Sequence, residues 1–164
     1  MISAIVAVDE NWGIGYNGDL LAHIPDDLKR FQQLTTNHVV IMGRKTWDSL
    51  PNKPLKNRLN LVISSQPRGV LEDMSMRISL EEAKIRLNHL DDDEEWFIIG
   101  GGEIYRKFLP QCDRVYVTKI LKKFENVDTY FPNLDISPNW APGMISGIYT
   151  YKDLSYQFWE YDSI

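Results

Sequence analysis

The chain has 164 residues, 43% hydrophobic and 25% charged, with five Trp and eight Tyr, so it can bury one ordinary core without disulfide or metal staples, and disorder as its main state is excluded. Two independent domains of usual size do not fit, and residues 1–164 read as a single domain. Lys and Arg number 18 against 23 Asp and Glu, and the net charge of −5, taken over the whole chain, argues against nucleic acid or an anionic membrane as partner.

Cys112 is the only cysteine, so no intrachain disulfide forms and a reducing compartment is the simpler reading. The apolar N-terminal stretch has no basic region and meets Asp9 and Glu10 too soon for a signal peptide. No apolar run approaches the roughly 20 residues of a membrane span. The expectation is a soluble, cytoplasmic protein.

Residues 2–8 form a continuous apolar run that predicts a strand buried on both faces. Residues 9–24, rich in Gly and Asn, read as a long loop. Pro25, Asp26 and Asp27 then supply a helix start, with acids at the positive end of the dipole and an apolar stripe of Leu28, Phe31 and Leu34. Residues 39–42 predict a second buried strand, 44–50 a short helix broken by Pro51 and Pro54, and 59–64 a third strand. Ser79 and Glu82 make a capping box ahead of the helical stripe Leu80, Ala83, Leu87 and Leu90. The five acids of 91–95 form a solvated loop, because they repel the negative end of that helix. Residues 96–99 give a strand closed by Gly100, Gly101 and Gly102, and 103–109 a helix. Strands are predicted again over 115–121, 144–151 and 156–161. Strands separated by helices and followed by a strand-rich tail predict an α/β fold, a mixed sheet with helices on both faces.

Several motifs bear on chemistry. Gly13, Gly15 and Gly18 satisfy the dinucleotide spacing, but the helix starts about seven residues too late, so they read as a flexible loop able to serve as a lid. Gly100 to Gly102 lie between a strand and a helix, where the backbone can approach a ligand or simply turn tightly. Gly43, Arg44, Lys45 and Thr46 occupy a strand-to-helix junction and read either as an anion site or as an exposed basic turn. With Arg58 they suggest a ligand with two anionic ends. Residues 38–71 carry +5 and the rest of the chain −10, so the whole-chain charge hides a basic wall to which Arg68 also contributes. Asp27 needs no functional explanation as a first-turn acid, yet it borders the apolar stripe at i, i+4 from Phe31. His23, His38, His89 and Cys112 match no metal-ligand spacing, and no metal is expected.

Seven segments, ISAIVAVDENWGIGYNG, IPDDLKRF, VVIMGRKTWDSLP, PLKNRLNLVISS, FIIGGGEIY, VYVTKI and DTYFP, make the chain resemble the dihydrofolate reductases of bacterial chromosomal type over essentially its full length. The resemblance implies an eight-stranded, mostly parallel sheet flanked by four helices, and reduction of dihydrofolate by hydride transfer from NADPH. By matching position, it makes Asp27 the acid that binds the pterin and Thr118 the hydroxyl that partners it. Ile5, Ala7, Leu28, Phe31, Leu50, Ile99 and Tyr105 become lining residues of the substrate pocket, and Arg58 the fork for the glutamate carboxylate. It assigns the cofactor to Ala7, Gly43, Arg44, Lys45, Thr46, Ser64, Ser65, Ile99, Gly100, Gly101, Gly102, Glu103, Ile104 and Tyr105, with a cis peptide at Gly100–Gly101. Ile14, Gly15, Asp19 and Leu20 fall in the lid over the nicotinamide. It further implies binding of antifolate inhibitors and a monomer, while the charge and the lack of a long apolar run leave neither nucleic acid nor membrane as an expected partner.

Because the cofactor supplies the hydride, the protein need only align two flat rings and exclude water. No second acid is evident, so water is expected to deliver the proton. Three departures stand out. Leu21 and Ala22 replace the family's Pro-Trp, Glu103 stands where some members carry Arg, and Asn126 and Val127 replace a single Gly before Asp128. Two other readings stay open: a reductase of the same fold acting on a pyrimidine in riboflavin synthesis, and a noncatalytic folate or nucleotide binding module.

Overall fold

A computed structural model describes residues 1–65, 70–72 and 74–164; Arg68 lies outside them. In chain order the elements are β1 (Ile2–Val8), β2 (Gly13–Tyr16), β3 (Asp19–Leu20), α1 (Pro25–Thr35), β4 (Val39–Gly43), α2 (Arg44–Ser49), β5 (Leu59–Ile63), β6 (Val70–Glu72), β7 (Ser75–Ile78), α3 (Leu80–Leu87), β8 (Trp96–Gly100), α4 (Gly102–Phe108), β9 (Arg114–Ile120), β10 (Thr129–Tyr130), β11 (Trp140–Ile145), β12 (Tyr149–Tyr151) and β13 (Leu154–Ser163). The main sheet runs β11-β13-β9-β1-β8-β4-β5-β7-β6, with β12 also on β13. From β9 to β7 every neighbouring pair is parallel, and β13 runs against β9. Since β11 and β12 take successive stretches of one edge of β13, the sheet has the eight mostly parallel strand positions expected, with the short β6 added at the far edge.

The parallel strands are apolar runs because helices cover both faces of the sheet. β1 is the central example: Ala4, Val6 and Val8 enter the larger core with Trp12, Ile98 and Val117, while Ile5, on its other face, packs toward Val40, Phe97 and Tyr116. Helix α1 begins on Pro25 at its first turn with Asp26 and Asp27, and α3 on Ser79, whose hydroxyl accepts the Glu82 N–H at 3.1 Å. The latter helix ends at Leu87, short of Leu90, which still packs half-buried against the core.

Three expectations are corrected. The predicted loop 9–24 contains the β2–β3 hairpin, turned on Asn17 (φ 52°) and Gly18 (φ 77°), a pair whose positive φ angles suit the twist of a two-residue hairpin. The strand predicted over 144–151 is divided into β11 and β12: at Ser146 the side chain enters the ladder, its Oγ accepting the Phe158 N–H at 2.9 Å. Strands β6 and β7 were not expected, because Ser75 to Ile78 shows neither clean alternation nor a continuous apolar run.

Candidate active site

The chain leaves β1 for β4, adds β5 and β7 outward, then inserts β8 between β1 and β4 before placing β9 on the other side of β1. Such a reversal in a parallel sheet opens a crevice at the carboxyl ends of the strands. Ala7, Gly43, Ser64 and Gly100 all lie at those ends, and the β4–β8 register slips there, Ile41 facing Ile98 but Met42 facing Gly100.

Asp27 sits in the first turn of α1 over this crevice. Thr118 of β9 donates its hydroxyl to Asp27 Oδ1 at 2.5 Å. Burial raises the Asp27 carboxyl above the usual range, against the opposing pull of the Thr118 hydrogen bond and the Arg30 charge. Asp26, by contrast, is exposed. Ile5, Leu50 and Ile99 pack half-buried around Val40, Met42, Trp47, Phe97 and Tyr116, giving an apolar floor beside the acid. Phe31 is half-buried on the same helix and Leu28, next to Asp27, is exposed. Tyr105 of α4 is buried, donates to the Ile5 carbonyl at 2.7 Å, and has its hydroxyl pushed far up by burial. It is therefore a neutral donor that fixes β1 against α4, with its only titratable function suppressed.

Arg58 is 6% exposed, an expensive position for a cation. Its Nη1 donates to Thr35 Oγ1 at 3.0 Å and its Nε to the Lys56 carbonyl at 2.8 Å, while the guanidinium lies 5.9 Å from the Phe31 ring centre. No acid pairs with it among the described residues. A buried fork oriented by neutral groups, next to an aromatic ring and an apolar floor, suits a carboxylate at the end of an aromatic ligand.

On the other side of the crevice the starts of α2 and α4 face each other. A Cβ on Gly43 would meet Ile104 Cγ1 at 2.9 Å, and one on Gly101 would find only the Thr46 hydroxyl, at 3.5 Å. Gly100 has φ 126° and lies against the Tyr105 ring, so only glycine fits, and the Gly100–Gly101 bond is cis as the resemblance implied. Gly43 and Gly101 cap their helices without a side chain, leaving the first-turn N–H groups facing this corner. Arg44 and Lys45 are exposed, and Ser64 and Ser65 follow β5 alongside. Close backbone approach, cations and hydroxyls together fit a phosphorylated dinucleotide. Glu103 makes an exposed ion pair with Lys107 at 2.7 Å, which, with the nearby charges of Arg106 and Lys45, lowers its carboxyl range.

The segment that the resemblance reads as a lid carries Ile14 and Gly15 buried in β2 and Asp19 and Leu20 exposed in β3, where the Leu20 N–H donates to Asp19 Oδ1 at 2.8 Å. Despite Asn126 and Val127, the following loop still supports the lid: Asp128 N–H donates to the Gly15 carbonyl at 3.0 Å, Asp128 Oδ2 accepts from Asn17 N–H at 3.0 Å, and Val127 packs onto Gly13. Sequence reasoning missed Asp9. Its buried carboxylate accepts the N–H groups of Asn11 (2.9 Å) and Gly13 (2.8 Å) on Oδ1 and that of Phe124 (3.1 Å) on Oδ2, tying the lid base to the 121–128 loop. The signal was present, since a short acid followed by Gly-rich chain readily accepts backbone N–H groups. Arg30 was also missed, its stem hidden inside an amphipathic helix pattern. No group of side chains among the described residues could hold a metal ion, and no described helix is long and apolar enough to cross a membrane.

Comparison with known proteins agrees with this architecture. The family described as dihydrofolate reductase matches residues 1–159. The chain is 42% identical over 140 residues to the dihydrofolate reductase of Bacillus subtilis, covering 85% of this chain and 80% of that protein. It is 36% identical over 188 aligned positions to the dihydrofolate reductase of Mus musculus, covering 98% and 96%. A viral dihydrofolate reductase of Saimiriine herpesvirus 2 is 35% identical, over 100% of this chain and 85% of its own. Fold, crevice and matched length lead to one assignment: the chain belongs to the dihydrofolate reductase family.

Proposed function

We propose that this protein reduces 7,8-dihydrofolate to 5,6,7,8-tetrahydrofolate, with NADPH as cofactor, as one cytoplasmic monomeric domain of residues 1–164. The observation that carries the reading is a single carboxylate, Asp27, hydrogen-bonded by Thr118 at the edge of an apolar crevice whose far end holds the buried fork of Arg58, without an acid partner among the described residues. Asp27 accepts the pterin's N3 and 2-amino protons, and its negative charge favours protonation at N5. Thr118 fixes the carboxylate's rotamer. Ile5, Ala7, Leu28, Phe31, Leu50 and Ile99 confine the flat ring and keep bulk water from it, and Arg58 takes the glutamate carboxylate. Bound NADPH supplies the hydride. Arg44, Lys45, Thr46, Ser64 and Ser65 hold its phosphate end, and Gly100 to Tyr105 its pyrophosphate and nicotinamide side. The lid residues Ile14, Gly15, Asp19 and Leu20 cover the reacting rings, and water delivers the N5 proton.

A pyrimidine reductase of the same fold would have no use for Asp27 and Arg58 together, and a binding module would not oxidise its cofactor. The deciding assay follows NADPH absorbance at neutral pH on addition of dihydrofolate or folate. Oxidation with dihydrofolate, reduced by at least about 100-fold in Asp27→Asn, is expected. Binding without oxidation would leave the module as the answer.

A further inference from the structure

Arg30 lies three residues after Asp27, so the two side chains emerge from neighbouring positions on one face of α1. That face meets the sheet where β9 and β13 run side by side. Tyr116 and Thr118 point to it from β9, and their register partners Glu160 and Phe158 from β13. The Arg30 guanidinium rests 4.3 Å from the centre of the Phe158 ring and 5.7 Å from that of Tyr116. Phe158 therefore supports the cation from directly beside Thr118, the residue that donates to Asp27. The shelf is itself braced, since Phe158 packs on the rings of Tyr149 and Tyr156, each at 5.6 Å.

We infer that Arg30 is a positioning residue acting through Asp27: parked on the Phe158 and Tyr116 rings, its fixed charge holds the neighbouring carboxylate in its anionic, substrate-binding form. The inference rests on the proposed function, which gives that carboxylate its task.

Three observations carry it. First, the charge is not consumed by a contact ion pair, since Arg30 takes part in none among the described residues. Second, a guanidinium on aromatic faces gives up part of its hydration without losing its proton, so its field reaches the carboxylate through protein as well as water. Third, apart from the Thr118 hydroxyl, whose hydrogen bond favours the carboxylate, the remaining groups around Asp27 do not help an anion. Asp26 on α1 and Glu160 on β13 are acids, and Tyr105, Tyr116 and Tyr156 are neutral phenols whose ionisation is pushed up. Burial favours the protonated acid; the Thr118 hydrogen bond opposes it first, and Arg30 is the cation that adds to that opposition. Burial draws the Arg30 guanidinium somewhat below its ordinary range, and the nearby Glu160 and Asp27 carboxylates oppose this by favouring its charged form. A neutral side chain of the same length would cover the same rings, so packing alone does not call for a cation here.

The test follows the Asp27 carboxyl carbon by NMR through a pH titration of the full-length protein, together with the dihydrofolate Kd at pH 7.5 and 5.5. Arg30→Gln removes the charge, Arg30→Met removes it while keeping an unbranched stem on the rings, and Arg30→Lys keeps it. In Gln and Met variants the Asp27 titration moves to higher pH, and the weakening of dihydrofolate binding between pH 7.5 and 5.5 grows by about threefold over wild type. The Lys variant follows wild type in both. A titration unmoved in a folded neutral variant, or displaced equally by Lys, overturns the inference. The carboxyl titration needs neither substrate nor turnover. A wild-type protein that bound dihydrofolate without oxidising NADPH would therefore refute the proposed reaction, not the role of Arg30.

Discussion

Thr118 and Asp27 are 91 residues apart in the chain and share one hydrogen bond of 2.5 Å, the hydroxyl of a sheet residue donating to the carboxylate of a helix start. A hydrogen bond to a charged acceptor contributes about 1.5–3 kcal/mol. Thr118→Val keeps the side-chain shape and removes the donor. Its dihydrofolate KM is expected to rise by roughly tenfold or more at neutral pH, with the Asp27 titration moving further upward. A KM within twofold of wild type would show that the hydroxyl is dispensable.

The raised Asp27 carboxyl also has a thermodynamic signature. The folded protein holds that proton more tightly than the unfolded chain, so ionising Asp27 costs stability as pH rises from the ordinary carboxylate range through the raised folded value. Below that range the cost is absent. Asp27→Asn is therefore expected to raise Tm near pH 7, with the gain shrinking toward zero as pH falls below the ordinary carboxylate range. Thermal scans of both proteins from pH 3.5 to 8 decide it, and a gain independent of pH would contradict the assignment.

Gly100 combines a φ of 126° with the Tyr105 ring against its missing side chain. Alanine there must strain the backbone, at about 1–3 kcal/mol, while its methyl would meet the Tyr105 ring only at contact distance. The expected result is a Tm lowered by roughly 2–4 °C per kcal/mol and a raised KM for NADPH. Equal Tm and equal NADPH KM in Gly100→Ala would remove the strain argument.

Ala22 is half-buried against the Ile24, Ile120 and Tyr156 cluster, next to Leu21. Ala22→Trp restores an indole N–H donor and ring beside the crevice. It should lower the dihydrofolate KM or strengthen antifolate binding by several fold, about 1 kcal/mol for one added hydrogen bond. Unchanged KM, turnover and inhibitor affinity would mean that the lid does without it.

Much of the fold was readable because its strands are continuous apolar runs and its helix starts carry Pro25 or Ser79. The β2–β3 hairpin also had its signal, the Asn17–Gly18 pair, hidden by flanking glycines that read as loop. Strand β7 had none, since Ser75 and Arg77 interrupt any pattern and its order comes from pairing with β5. At the site, first-turn chemistry alone made Asp27 an ordinary dipole acid, because the partner that distinguishes it arrives from β9. Resemblance supplied what local physics could not. Neither approach reached Arg30 or Asp9, whose roles depend on rings and loops distant in the chain.

The anchoring at Asp9 divides the proposed lid into two mechanical regimes. Its root, at Asn11 and Gly13, is fastened by a buried carboxylate, whereas its tip, at Asn17, hangs on one exposed oxygen of Asp128. Opening the tip then requires no loosening of the root. Hydrogen exchange would register this as a sharp step in protection along a few residues, slow at Gly13 and fast at Asn17, with the boundary acting as the hinge.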